Sequence, residues 1–254
     1  MKISVCGKGG SGKSTVATLL ANEAQVRGFK VLVVDSDESN CGLFKMLGFE
    51  QLPTPLMELV GGKRTLREKM RQPSVLSATQ IRLEDITPQY RLKRDSLMLV
   101  SVGKILQSLE GCACPLGVLS REFLKKLHLR ENEIAIVDME AGVEHFGRGI
   151  DTSIDRVVLV VEPSLESITL AERIKSLAAA IEKNVGAVLN KITSEHLALK
   201  LRRELKKRDI EVVGAIPYDP AVFEACLEGR ALGKGEAGNQ AGKILDALLK
   251  KTNT

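Results

Sequence analysis

The sequence predicts a doubly wound α/β fold, a mostly parallel sheet flanked by helices on both faces. Short continuous runs of Val, Ile and Leu recur along the chain, as expected of parallel strands buried on both faces. Segments with helical apolar spacing alternate with those runs. A glycine-rich stretch, Gly7-Lys8-Gly9-Gly10-Ser11-Gly12-Lys13-Ser14-Thr15, joins the first apolar run to the first helical pattern.

The elements follow in chain order. The apolar run Ile3 to Cys6 marks a strand at Lys2–Cys6. A helix is expected at Ser14–Arg27, where Val16, Leu19, Leu20 and Ala24 share one face, and Gly28 stands where a left-handed cap is wanted. Further strands are expected at Lys30–Asp35, Leu97–Val102, Glu133–Asp138, Arg156–Glu162, Gly186–Lys191 and Glu211–Ile216. Further helices are expected at Gly117–Leu127, Leu165–Lys183, Ser194–Lys207, Ala221–Leu227 and Ala241–Lys250. The last is weakly amphipathic and is expected to dock on the sheet. Residues 51–95 break the rhythm with Pro53, Pro55, Pro73 and Pro88, and read as an insertion over one face of a single domain spanning 1–254. Their basic cluster (Lys63, Arg64, Arg67, Lys69, Arg71) reads as a solvated surface, as do Arg202, Arg203, Lys206, Lys207 and Arg208.

Composition narrows the function classes. The chain has 254 residues, enough for a full core, and a formal charge of +5, which suits anionic nucleotides without implying nucleic acid. There is no Trp and there are only two Tyr, which argues against base-stacking platforms. The apolar runs are too short to span a bilayer. Met1 directly before the first strand leaves no room for a signal peptide, so a cytoplasmic protein without nucleic-acid or membrane partners is expected. Five cysteines in such a chain read as reduced thiols. Cys6 and Cys226 are expected in or near the core, and Cys41 stays open.

The glycine-rich stretch fits the phosphate-binding pattern G-x-x-x-x-G-K-[ST], with an extra lysine, Lys8, after the first glycine. Gly9, Gly10, Ser11, Gly12 and Thr15 supply the backbone N–H groups and helix start that cradle phosphate oxygens. Lys13 would reach the β- and γ-phosphates, and Ser14 would ligate Mg²⁺. The second strand ends in Asp35-Ser36-Asp37-Glu38-Ser39-Asn40, and the fourth in Asp138-Met139-Glu140-Ala141-Gly142. Carboxylates there, beside the phosphate loop, are placed to organise Mg²⁺ and the attacking water; Asp138 would hold Mg²⁺ through water, and Gly142 would offer a backbone N–H to the γ-phosphate.

The Lys8–Lys13 pair resembles the deviant Walker A loop of the MinD, ParA and nitrogenase iron-protein class. The carboxylates Asp35 and Asp37 resemble its first switch, and Asp138–Gly142 its second. The resemblance implies ATP and Mg²⁺ as ligands and homodimers that close face to face around two nucleotides. It implies that Lys8 crosses to the partner's phosphates and that Asp37 orients or deprotonates the water. It also makes Asn190 an adenine contact and brings Pro217, in Ile216-Pro217-Tyr218-Asp219, to a loop that packs on the base.

Gly111-Cys112-Ala113-Cys114-Pro115 precedes the helix expected at Gly117. Thiolates at a helix N-terminus have lowered pKa values, which suits metal binding, but two cysteines cannot close a four-ligand site alone. With GKGGSGKST, DSDESN and DMEAGVEHFGRG, this loop resembles the CooC family of nickel-insertion ATPases for carbon monoxide dehydrogenase. The resemblance implies that Cys112 and Cys114 from two subunits form one four-thiolate metal site, with carbon monoxide dehydrogenase as the metal acceptor. Four thiolates suit Ni²⁺ in a square plane and Zn²⁺ in a tetrahedron, so softness does not choose between them. Glu140, which stands where most relatives carry proline, is expected with His145 and Arg148 on an exposed switch helix, His145 as a structural residue. Two rival readings are an iron–sulfur electron carrier using the same cysteines and a positioning ATPase on DNA or membrane.

Overall fold

The computed structural model describes residues 1–104, 114–147 and 149–250. The strands are β1 (Lys2–Gly7), β2 (Lys30–Asp35), β3 (Leu92–Arg94), β4 (Leu97–Ser101), β5 (Glu133–Asp138), β6 (Arg156–Val161), β7 (Val185–Ile192) and β8 (Glu211–Pro217). The helices, in chain order, are α1 (Lys13–Val26), α2 (Leu43–Met46), α3 (Leu56–Leu59), α4 (Gly62–Lys69) and α5 (Cys114–Lys126). They continue with α6 (Glu144–Gly147), α7 (Leu165–Ala179), α8 (Glu195–Lys206), α9 (Pro220–Glu228) and α10 (Glu236–Lys250). Among the described residues the strands form one sheet in the order β3-β4-β2-β5-β1-β6-β7-β8, parallel except for β3 against β4.

Each central strand feeds two cores by simple alternation. Leu32, Val34, Val100, Ala135 and Val137 face one core, and Val31, Val33, Leu99, Ile134 and Ile136 face the other. This double burial explains why the strands read as unbroken apolar runs. The second core is closed by α1 and α10. Ala237, Ala241, Ile244, Leu245 and Leu248 of α10 are buried there, as its apolar spacing predicts.

Residues 56–90 add to the first core through Leu56, Val60, Leu66, Val75, Leu76, Ile81, Leu83 and Ile86. Glu122 of α5 clamps this segment, accepting from the Val75 and Leu76 N–H groups at 2.7 and 3.0 Å and pairing with Lys126. Burial opposes ionisation of Glu122, but these hydrogen bonds, with one from Ser74, outweigh it and hold the carboxyl at about 2. Gly28 (φ 83°) ends α1 in the left-handed conformation its position calls for. The antiparallel strand β3 and the short helices α2, α3 and α4 are additions to the expected elements. Each is too short for its apolar spacing to announce it.

Candidate nucleotide-binding site

The phosphate loop is shaped by glycines where other residues do not fit. At Gly7 a Cβ would meet the Val160 carbonyl oxygen at 2.6 Å. Gly10 (φ 79°) and Gly12 (φ 92°) are left-handed, which lets the loop fold back so that the Ser11 N–H donates to the Lys8 carbonyl at 3.1 Å. The chain then enters α1, whose first residue, Lys13, is buried. Asn190, near the end of β7, donates from Nδ2 to the Ser11 carbonyl at 2.8 Å, and a Cβ on Gly12 would lie 2.3 Å from that nitrogen. Asn190 therefore braces the loop from β7, two strands away from β1 in the sheet.

The carboxylates converge by register. β2 and β5 are neighbours in which Asp35 stands opposite Asp138, and the Ser36 N–H donates to the Asp138 carbonyl at 3.0 Å. Ser14 Oγ donates to Asp138 Oδ2 at 2.5 Å, and Asn40 Nδ2 reaches both Ser14 Oγ (2.5 Å) and Asp138 (3.3 Å). Asp37 is buried and accepts from the Ser39 N–H and hydroxyl at 3.0 and 2.6 Å. The other oxygens of Asp35 and Asp138, both Oδ1, are buried without a hydrogen-bond partner, as is Ser11 Oγ. Burial raises Asp138 to about 7, the negative charge of Asp35 adding to it and Ser14 and Lys13 opposing it. Burial likewise raises Asp35 to about 6 against the pull of Lys104. Hard oxygen donors held beside a phosphate cradle, two of them unsatisfied, fit a hydrated Mg²⁺ and its nucleotide.

The family model of the CobQ/CobB/MinD/ParA nucleotide binding domain matches residues 3–232. The chain belongs to this family. Within it, an uncharacterised ATP-binding protein of Methanocaldococcus jannaschii is 41% identical over 91% of this chain and 94% of its own length. The carbon monoxide dehydrogenase accessory protein CooC of Rhodospirillum rubrum is 31% identical over 90% of this chain and 88% of its own. The MinD protein of Pyrococcus horikoshii, solved with Mg-ADP, superposes with a TM-score of 0.73 at 18% identity, covering 99% of this chain and 96% of that one. Aquifex aeolicus MinD does so at 0.70 and 20% identity, covering 98% and 96%. The eight-stranded sheet is thus the MinD/ParA sheet, and the chain belongs to a P-loop ATPase family with ATP-binding relatives.

In this family member Lys8 lies 3.0 Å from Glu162 of the same chain, which Lys191 also contacts at 3.1 Å. Lys191 further donates to the Gly10 carbonyl at 2.6 Å. Burial works against ionisation of Glu162, but the hydrogen bonds from Lys8 and Lys191 prevail and keep its carboxyl below the usual range. The Gly142 N–H donates to the Gly7 carbonyl at 3.2 Å, tying the loop after β5 to the head of the phosphate loop. Pro217 ends β8 opposite Ile192, and Asp219 caps α9 just beyond it.

Two expectations are corrected. Cys226 is exposed, because the inward position on α9 goes to Ala225; its sulfur lies 3.7 Å from Met46 Sδ and 3.9 Å from Thr15 Oγ1. His145 is buried, its ring against Phe146 on the short helix α6, so this segment is not the exposed switch helix expected. Of the metal candidates, Cys114 is exposed and is the first residue of α5, whereas Cys112 lies outside the described residues, as does Arg148. Among the described residues no group of three or more His, Cys, Asp or Glu could hold a metal ion. No helix among them is long and apolar enough to cross a membrane.

Reading the sequence missed Lys104 altogether. It follows β4, is 5% exposed, and places its ammonium 2.7 Å from the Asp35 carboxylate while donating to the Asp37 carbonyl. A lysine just past an apolar strand reads as an ordinary polar strand end, and only its position ahead of the cysteine loop marks it. Glu162, Lys191 and Asn40 were missed as site residues for the same reason: each acts through a neighbour distant in sequence.

Proposed function

We propose that the protein is a cytoplasmic, MgATP-hydrolysing homodimer that captures a divalent metal cargo, nickel, through Cys112 and Cys114 and delivers it to carbon monoxide dehydrogenase. The observation that carries this reading is the C-x-C pair at the head of α5 in a member of this ATPase family. The likeness to CooC over most of both chains supports it. Two thiolates per chain become four when two copies meet, a donor set for Ni²⁺ or, in competition, Zn²⁺.

In this reading Gly9, Gly10, Ser11, Gly12 and Thr15 hold the phosphates by backbone N–H groups, and Lys13 neutralises charge on the β- and γ-phosphates. Ser14, Asp35 and Asp138 hold Mg²⁺ directly or through water, and the ion supplies neutralisation of the charge that develops on the transferring phosphoryl group. Asp37 orients the attacking water. Gly142 offers its N–H to the γ-phosphate once it leaves the Gly7 carbonyl. Asn190 and Pro217 border the adenine. Lys8 exchanges Glu162 for the partner subunit's nucleotide, which makes ATP binding and dimer closure one event. Closure joins the thiolates, and hydrolysis loosens the dimer and releases the metal. By linkage, a metal that prefers the closed dimer must strengthen nucleotide-dependent dimerisation to the same extent.

Anaerobic size-exclusion chromatography with light scattering and metal analysis, with Ni²⁺ and with or without MgATP, tests this reading. One metal per dimer, lost in the Cys112→Ala/Cys114→Ala double variant while ATP hydrolysis persists, is the expected result. Stoichiometric tight metal in the double variant would overturn the site. A brown, redox-active dimer would make the protein an iron–sulfur carrier instead, and salt-sensitive DNA binding or liposome sedimentation with ATP would make it a positioning ATPase.

A further inference from the structure

We propose that Lys104 is a positioning residue that couples the state of the nucleotide site to the head of α5, where Cys114 stands. Its ammonium is buried, where a cation is stable only beside a compensating charge, and that charge is the Asp35 carboxylate 2.7 Å away. The same ammonium donates to the backbone carbonyl of Asp37, so one side chain grips both ends of the short segment from Asp35 to Asp37. The backbone is joined there too: the Val102 N–H donates to the Asp35 carbonyl at 2.9 Å. Any change in charge or position at Asp35 is therefore felt at Lys104.

The residue before Lys104 lies against the helix that Cys114 begins. Gly103 packs so closely on α5 that a Cβ there would lie 2.6 Å from Leu116 Cδ2 and 3.0 Å from Met57 Sδ. Ser36 Oγ and Ser120 Oγ, 2.8 Å apart, give a second tie between the Asp35–Asp37 segment and α5. The chain leaves Lys104 directly into residues 105–113, which carry Cys112. The nucleotide-side carboxylates thus reach the cysteine helix by two routes, Lys104 with its neighbour Gly103 against Leu116, and Ser36 with Ser120.

The physical device is competition between cations. Asp35 carries the pull of Lys104 in the structure, its Oδ1 has no hydrogen-bond partner, and its charge acts on Asp138, as does that of Lys13. A magnesium nucleotide brings a divalent charge to those carboxylates, and two cations drawn to one buried carboxylate repel each other. Lys104 then holds Asp35 less firmly, and the contact of Gly103 with Leu116 near the head of α5 loosens with it. The inference needs the chain to bind a magnesium nucleotide, but it does not need the cysteines to bind nickel.

The test is the rate at which Cys114 is alkylated by iodoacetamide under anaerobic conditions, read by site-resolved mass spectrometry, with and without MgATPγS. In the wild-type chain the nucleotide should change the rate by about fivefold or more. Lys104→Met, which keeps the stem and loses the charge, should still bind a fluorescent ATP analogue yet hold the change within about twofold; Lys104→Arg should restore most of the response. Full response in Lys104→Met, or none in the wild type, overturns the proposal. Should Lys104→Met not fold, amide hydrogen exchange at residues 102–104 of the wild type decides, and identical protection with and without MgATPγS overturns it. A wild-type chain that shows the response but binds no Ni²⁺ sinks only the nickel reading, and nickel bound without the response sinks only this one.

Discussion

The phosphate loop and the carboxylate cluster lie side by side but are built in opposite ways. The loop from Gly7 to Thr15 is contiguous, and its shape follows from glycine conformations and from α1 beginning at Lys13. The cluster of Asp35, Asp37, Asp138 and Lys104 comes from the ends of β2, β5 and β4, and exists only because those strands lie side by side in register. A local motif fails when its backbone is changed. A discontinuous cluster fails when its charge balance is changed, so it responds to pH and to metal in ways the loop does not.

That contrast can be broken most forcefully at Lys13. If Lys13 neutralises the phosphates as proposed, Lys13→Met should lower ATP hydrolysis, measured by phosphate release, by roughly 10²–10³, with the melting temperature little changed by comparison.

On the cluster side the expected effect is a pH dependence. The folded chain without metal keeps a proton on Asp138 up to about 7, and on Asp35 up to about 6, whereas an unfolded chain releases both in the ordinary carboxylate range. The folded state therefore binds more protons in that window, and stability falls as pH rises from about 4 to 7. The two groups titrate as a coupled pair, so the slope belongs to both. Urea unfolding across this range should show a loss on the order of a few kcal/mol, and Asp138→Asn should flatten most of it. Adding Mg²⁺ and nucleotide should flatten it as well, because their binding favours the ionised carboxylates. A wild-type curve that is flat, or rises over the window, would break the contrast.

Gly12→Ala tests the loop's backbone. It forces a side chain into a left-handed position and against Asn190, costing about 1–3 kcal/mol. Asn190→Ala in the same chain should recover the steric part, so the pair should be less than additive in urea unfolding. The smallest effect belongs to Glu162→Gln. The ion pairs with Lys8 and Lys191 lie near the surface and should change stability by under ~1 kcal/mol. The informative readout there is light scattering with MgATP, where release of Lys8 should favour the dimer.

The course of the fold was legible because it is written in patterns of nearest neighbours. Runs such as Val31–Val34 and Val157–Val161 announce strands buried twice over, and all of the longer strands and helices stand within a few residues of their expected places. The exceptions teach where that reading ends. β3 has too few residues to show alternation, and it pairs only because β4 offers an edge. Cys226 follows the helical pattern of α9, but which face of that helix meets the core depends on how α9 lies on α1 and α2, and Ala225 takes the inward place. His145 lies in a polar stretch and is nonetheless buried against Phe146.

The sequence by itself determined the parallel α/β fold, the phosphate loop and the acidic residues that close β2 and β5. Each of these depends on dihedral preferences or apolar spacing within a few residues. Only the tertiary structure decided that Asp35 and Asp138 are buried side by side, burial being what chiefly raises their protonation range, and that Lys104 is buried against Asp35. It also decided that Lys8 rests on Glu162 of the same chain. Those facts depend on strand order and register. Register places together side chains that are far apart along the chain, and no local pattern encodes the charge that a buried neighbour will supply.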